Sequence, residues 1–209
     1  LWGEPPADAW RMTRDPSHAP KGSVELVMRF EQGLPVAIDG RPMTGVKLIE
    51  YLNDLAGTFG VGRIDMVENR FVGIKSRGIY EAPGLELLGH CHEYLTQLTL
   101  DRRARRIFEQ LSSTISEQIY QGYYFDTATQ ASLKFMDHLT ALCTGTVTVS
   151  LYKGTVAFHA CADVPHSIYS EDAASMEAVG DFDHQDSEGF LRVLGVSAKA
   201  LNAGGQVGA

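Results

Sequence analysis

Hydrophobic and polar positions alternate from Val24 onward. Val24, Leu26, Met28 and Phe30 fall on one side and Glu25, Arg29 and Glu31 on the other, and a period of two predicts a half-buried strand. Gln32 to Pro35 turns the chain, Val36-Ala37-Ile38 returns it and Asp39-Gly40 closes the segment, so the first element reads as a β-hairpin. The period then lengthens. Thr44 stands where a helix cap belongs, and Val46, Ile49, Leu52 and Leu55 recur at helical spacing until Gly57. Pro83 opens a second helix with Leu87, Leu88, Cys91, Tyr94, Leu95 and Leu98 on its apolar side. A third is expected from about Asp101, with Ala104, Ile107, Phe108, Leu111, Ile115 and Ile119 in one stripe, and a fourth carries Leu133, Met136, Leu139 and Leu142. These stripes read as core. Thr146 to Tyr152 alternates again, turns at Lys153-Gly154 and returns through Val156 and Phe158, a second hairpin. A last helix is expected from Phe190 or later to Leu201. Hairpins separated by a run of helices predict the α+β class: an antiparallel sheet packed with helices, plus a C-terminal helical extension.

Two stretches carry no periodicity. The first, residues 1–22, holds Pro5, Pro6, Pro16 and Pro20 and is expected to be a connecting arm. A folded domain is then expected over 23–189, with a helix and tail over 190–209. The second stretch, residues 57–84, reads GTFGVGRIDMVENRFVGIKSRGIYEAPG. Gly57, Gly60, Gly62, Gly73 and Gly78 punctuate it among Arg63, Arg70, Lys75, Arg77, Asp65 and Glu68, and it is read as a loop. Glycine lets backbone approach a ligand closely, so a loop dense in both signs of charge suits a small zwitterion such as a free amino acid. The ligand ammonium needs a carboxylate, its carboxylate needs donors, and a Glu with a Tyr hydroxyl fixes orientation. The same charges could instead pair with one another to hold an irregular loop. Neither GxGxxG opening a helix nor GxxxxGK[ST] is present.

Composition narrows the function classes. Eighteen Lys+Arg against 26 Asp+Glu give a formal charge of −8, which does not support nucleic-acid binding. No apolar run approaches the roughly 18 residues that span a bilayer, and the first residues lack a signal-peptide pattern. Cys91, Cys143 and Cys161 are widely spaced with no CxxC, which points to a reducing cytoplasm rather than a disulfide framework or zinc knuckle. Arg102, Arg103, Arg105 and Arg106 crowd a helix N-terminus, where cations are unfavourable, so acidic partners are expected for them elsewhere. His90 and His92 flank Cys91 on a helix and point in different directions, which argues against a shared metal. Asp181, Asp183, Asp186 and Glu188 lack the order of a calcium loop and read as a solvated acidic turn. His159 reads as a surface strand residue and not as a base.

The stretch from Gly60 to Gly84 closely resembles one family, argininosuccinate synthase, whose second half carries a segment like GVGRIDxVENRFxGxKSRGxYExPG. LVMRFEQGLPVAIDG, LIEYLNDLAG, LTLDR, IYQGYYF, TGTVTVSLYKG, SIYSE and DSEGF resemble its other elements, and Leu1-Trp-Gly3 resembles a motif near the junction of its halves. The resemblance covers essentially the whole chain. It implies an ATP-dependent ligation of citrulline to aspartate through a citrullyl-adenylate, releasing AMP and pyrophosphate and serving arginine synthesis in the cytoplasm. It implies that Glu68 and Tyr80 contact citrulline, with Arg63, Asp65 and Arg77 in support and no metal ligand or catalytic acid, base or nucleophile in this segment. ATP with Mg2+ would be bound mainly by the family's other half, whose SGGLDTS-type loop this sequence lacks. The domains would then be an arm (1–22), a citrulline-binding synthetase domain (23–189) and an oligomerisation helix with a tail (190–209) that embraces neighbours in a homotetramer.

The sequence departs from the family in places. After Gly3 it passes at once to Glu4-Pro5-Pro6, where the family has a Ser- or Thr-containing run and an acidic LEDP-like stretch, and the expectation is a gap there. It opens on Leu1 and not on methionine, so an internal segment of a longer chain is expected. Cys161-Ala162-Asp163-Val164-Pro165 replaces GRxSP, which puts in doubt any subunit contact made by that arginine. A different class of reading, a stand-alone assembly or regulatory module derived from the enzyme, stays open at this point.

Overall fold

In the computed structural model, which describes residues 2–171 and 184–203, the two alternating segments join in one sheet. β1 (Val24–Glu31), β2 (Leu34–Ile38), β3 (Arg41–Pro42), β6 (Gly145–Tyr152) and β7 (Thr155–Ala162) form an antiparallel sheet of order β3-β2-β1-β6-β7. The chain's two expected hairpins are therefore neighbours through β1 and β6. The register places Leu26 opposite Val149 and Met28 opposite Val147, so the apolar faces of both strands coincide. The tight turns use X-Gly pairs with positive φ: Gln32-Gly33, Asp39-Gly40 and Lys153-Gly154, the left-handed pair that two-residue hairpins require.

α1 (Gly45–Thr58) and α2 (Pro83–Thr99) cover the inner face of the sheet. Leu48, Leu52 and Ala56 from α1 and Leu87, Cys91 and Leu95 from α2 meet Leu26, Met28, Phe30, Val147, Val149 and Leu151 in one core. Each large apolar side chain so buried contributes about 1.5–3 kcal/mol. Thr44 occupies the N-cap position of α1, but its side chain makes no capping bond. α3 (Arg102–Tyr120) and α4 (Thr127–Thr140) form a helical hairpin. Asp101 caps α3 by accepting from the Arg103 and Ala104 N–H groups, each at 2.8 Å. Arg105 finds the expected acidic partners in Glu93 and Glu109. The α3 stripe is not core throughout, however: Ile115 is buried, whereas Ile107 and Ile119 are exposed, because α3 packs along α4 rather than beneath the sheet.

The chain divides into two units, Leu1–Ile168 and Tyr169–Ala209. In the second, α5 (His184–Leu194) and α6 (Val196–Ala203) pack on each other, and Phe190, Leu191, Val193, Leu194 and Val196 are exposed. The last helix thus begins before Phe190 and is broken at Gly195. Leu1, Asp181 and Asp183, named above for a motif and an acidic turn, lie outside the described residues. Asp186 and Glu188 belong to α5, where Glu188 pairs with Arg192.

Candidate functional site: a two-faced β ribbon

Residues 57–84, expected as a loop, hold a second antiparallel pair, β4 (Arg63–Asn69) and β5 (Lys75–Glu81). The turn between them is closed by the Gly73 N–H donating to the Arg70 carbonyl at 2.7 Å, with Gly73 at φ 83. Period-two patterning records burial of one face, and neither face of this ribbon joins the core. Alternation is accordingly confined to Arg63-Ile64-Asp65-Met66 and breaks at Val67, too short a run to mark a paired strand.

The register runs in phase from Arg63 opposite Glu81 to Asn69 opposite Lys75, and it sorts the five singled-out residues onto two faces. Glu68 and Tyr80 share one face with Ile64, Met66, Ser76 and Gly78; Arg63, Asp65 and Arg77 share the other with Glu81. On the first face the Tyr80 hydroxyl donates to Glu68 Oε1. That bond first, then burial and the Glu68 charge, raise the phenol above its ordinary value, with Tyr120 adding to this and Arg70 opposing it. The face is open: Ile64, Met66 and Tyr80 are 43%, 45% and 45% exposed. A short acceptor and a hydroxyl on an open strand face can orient a small polar molecule.

On the opposite face the charged residues grip the arm. Arg77 donates from Nε to Asp65 Oδ1 at 2.7 Å and from Nη2 to Oδ2 at 2.6 Å, and its Nη1 donates to the Gly3 carbonyl at 2.7 Å. The paired bonds hold the Asp65 carboxyl below and the Arg77 guanidinium above their ordinary values. The Arg63 guanidinium lies 3.9 Å from the centre of the Trp10 ring and 3.4 Å from Asp15. Asp15 is held at about 2 by the Ser17 hydroxyl and N–H, with Arg63 adding to them. Glu81 accepts from the N–H groups of Arg11 (2.7 Å), Met12 (3.0 Å) and Thr13 (2.8 Å) and from the Thr13 hydroxyl (2.6 Å). Burial pushes the Glu81 carboxyl up, and these four donors together bring it below its ordinary value. The arm is therefore a fitted strip rather than a free connection. The Arg14 N–H donates to the Gly57 carbonyl at 2.9 Å, and a Cβ on Gly57 would lie 2.2 Å from the Met12 carbonyl oxygen.

Arg63, Asp65 and Arg77 thus face away from Glu68 and Tyr80. Sequence reasoning missed Glu81, although its place in IYEAPG, opposite Arg63, was open to notice. The other singled-out groups lie elsewhere. His90 pairs with Glu86 at 3.2 Å, whereas His92 has ring contacts with Phe30 and Phe108. His159 contacts the Ser150 hydroxyl at 2.8 Å on the exposed sheet face. Among the described residues no helix is long and apolar enough to cross a membrane.

The family model described as Arginosuccinate synthase C-terminal domain matches residues 1–201, the antiparallel α+β layer and this ribbon included. The chain belongs to the argininosuccinate synthase family. The argininosuccinate synthase of Moorella thermoacetica is 41% identical over 198 residues, covering 95% of this chain and 48% of the relative. That of Rhodopirellula baltica is 39% identical over 184 residues (88% and 45%), and the chloroplastic enzyme of Arabidopsis thaliana is 39% identical over 196 residues (94% and 40%). The chain spans about half the length of the curated relatives it matches.

Proposed function

We propose that this chain supplies the citrulline-binding part of an argininosuccinate synthase, which joins citrulline to aspartate at the expense of ATP through a citrullyl-adenylate, in arginine synthesis in the cytoplasm. The observation that carries the reading is the Glu68–Tyr80 pair on the open face of the ribbon, set in the segment that most resembles the family. Glu68 accepts from the citrulline ammonium and Tyr80 fixes the orientation of the substrate. Both act by holding it, so their share of catalysis is proximity and alignment. Arg63, Asp65, Arg77 and Glu81 support the site from behind, by fastening the arm to the ribbon.

In this reading ATP with Mg2+ is held mainly by the family's other half. Among the described residues no group of three or more His, Cys, Asp or Glu stands close enough to hold an ion. Gly60 and Gly62 pack closely on the arm and on α2, since a Cβ on Gly60 would meet the Arg14 carbonyl and one on Gly62 would meet Pro83, and on their open side they line a cavity of about 520 Å³ with Arg63, His90 and Lys153. The division into arm (1–22), synthetase domain (23–189) and oligomerisation helix (190–209), and a homotetramer through the exposed apolar side chains of α5 and α6, belong to the same proposal.

The test is calorimetric titration of citrulline into the chain, with Glu68→Gln and Tyr80→Phe alongside. Loss of a hydrogen bond to a charged group is worth about 1.5–3 kcal/mol, so each variant should bind about tenfold or more weakly. Wild-type chain that binds no citrulline, alone or supplemented with a nucleotide-binding half, would leave the stand-alone assembly module as the better reading.

A further inference from the structure

We infer that Gly78 is a positioning residue of the substrate pair: its bare Cα is the shelf on which the Tyr80 ring lies, and that posture brings the phenolic hydroxyl to Glu68. The inference rests on the reading of Glu68 and Tyr80 as the citrulline pair. Tyr80 stands opposite Ile64, and Glu68 opposite Ser76, with Gly78 and its partner Met66 between them. Ile64 and Glu68 are four residues apart along β4, roughly 13 Å of strand. Side chains standing upright from the sheet cannot close that distance. The Tyr80 ring must lie along β5 across position 78, and it does: a Cβ built on Gly78 would lie 2.3 Å from Tyr80 Cε2 and 2.7 Å from both Cζ and Oη. Gly78 is correspondingly the one buried residue of β5, while Tyr80 itself is exposed.

The reason for glycine is space and not backbone conformation. Gly78 is absent from the positive-φ positions, so its strand geometry admits any residue. The group that a new Cβ would strike is the end of a side chain on two rotatable bonds. An alanine at 78 therefore leaves the ribbon paired and swings the ring aside, removing the Tyr80–Glu68 bond without touching either partner. Glu68 keeps its carboxylate but loses the donor that sets its orientation. Position 78 thus decides whether the face is preorganised.

The experiment uses the chain labelled with 13C at the tyrosine ring carbon that bears the hydroxyl, with Tyr80 assigned by its loss in Tyr80→Phe. Glu68, Arg70 and Tyr120 are the titratable groups that act on its phenol. In the wild type Tyr80 should titrate above ordinary tyrosine. In Gly78→Ala it should fall back to the value found in Glu68→Gln, with the other tyrosines unmoved and citrulline affinity reduced as in Tyr80→Phe, about tenfold or more. Amide exchange across β4 and β5 reports whether the ribbon survives. If Gly78→Ala melts it, Gly78→Ala combined with Tyr80→Ala should restore pairing to the level of Tyr80→Ala alone, because the clash is then gone. A Tyr80 that titrates in Gly78→Ala as in wild type overturns the inference, and so does a ribbon that melts whichever residue stands at 80. Wild-type chain that binds no citrulline defeats the functional reading instead, and the Tyr80 titration still decides the role of Gly78.

Discussion

Removing the Glu81 carboxylate should release the arm from the back of the ribbon. Glu81→Ala strips the acceptor from four donors at once. The Arg11 and Met12 N–H groups are at an exposed edge and rehydrate, so they contribute little. Thr13 is 7% exposed, and its N–H and hydroxyl both lose their partner, at about 1–3 kcal/mol per buried group. Two such groups give about 2–6 kcal/mol for Glu81→Ala, a figure capped by the free energy of peeling the arm into water. Glu81→Gln keeps one acceptor but turns an amide N–H2 toward backbone donors, and should cost about 2 kcal/mol. The assay is urea unfolding followed by circular dichroism, with amide exchange read at residues 11–13. The pH dependence has a definite sign. The folded carboxyl lies below its ordinary 4.5, so its stabilisation is complete above that value and lost as pH falls through the lower, folded one. The gap between wild type and Glu81→Gln should therefore be full at pH 7 and shrink below about pH 4.5. A Glu81→Ala chain within about 0.5 kcal/mol of wild type, with residues 11–13 still protected, would refute the clamp.

Gly62 and Gly40 both have positive φ (85° and 73°), but a Cβ on Gly62 would lie 2.5 Å from Pro83 Cα, whereas Gly40 faces open space. Gly62→Ala should thus cost about 3 kcal/mol against about 1 for Gly40→Ala, and equal urea midpoints would contradict this. Burial, with the Cys161 charge adding to it, pushes the Cys91 thiol up to about 12, and Cys91 is fully buried. Iodoacetamide at pH 8 should label half-buried Cys161 and reach Cys91 only in denaturant. Peptide mass spectrometry that finds equal rates would show the thiol to be accessible.

By itself the sequence determined the elements whose pattern burial dictates. β1, β6, α1 and α2 each present a periodic apolar face, because each lays that face on the one core, and the X-Gly turns were legible because positive φ selects glycine. Glu68 and Tyr80 were singled out by resemblance and as residue types that suit a zwitterion, and the structure sets them in one hydrogen-bonded pair. The tertiary structure alone decided that residues 63–81 form a paired ribbon. Main-chain bonds and a cross-strand register hold it together, and neither leaves a mark in hydropathy when no face is buried in the core. It alone decided that Arg63, Asp65 and Arg77 look toward the arm while Glu68 and Tyr80 look away, since the face of a strand residue depends on the parity of a register that single positions do not encode. Gly78 belongs to the same category: a glycine required for the space above it is indistinguishable in sequence from one required for its φ, until the ring that fills that space is in place.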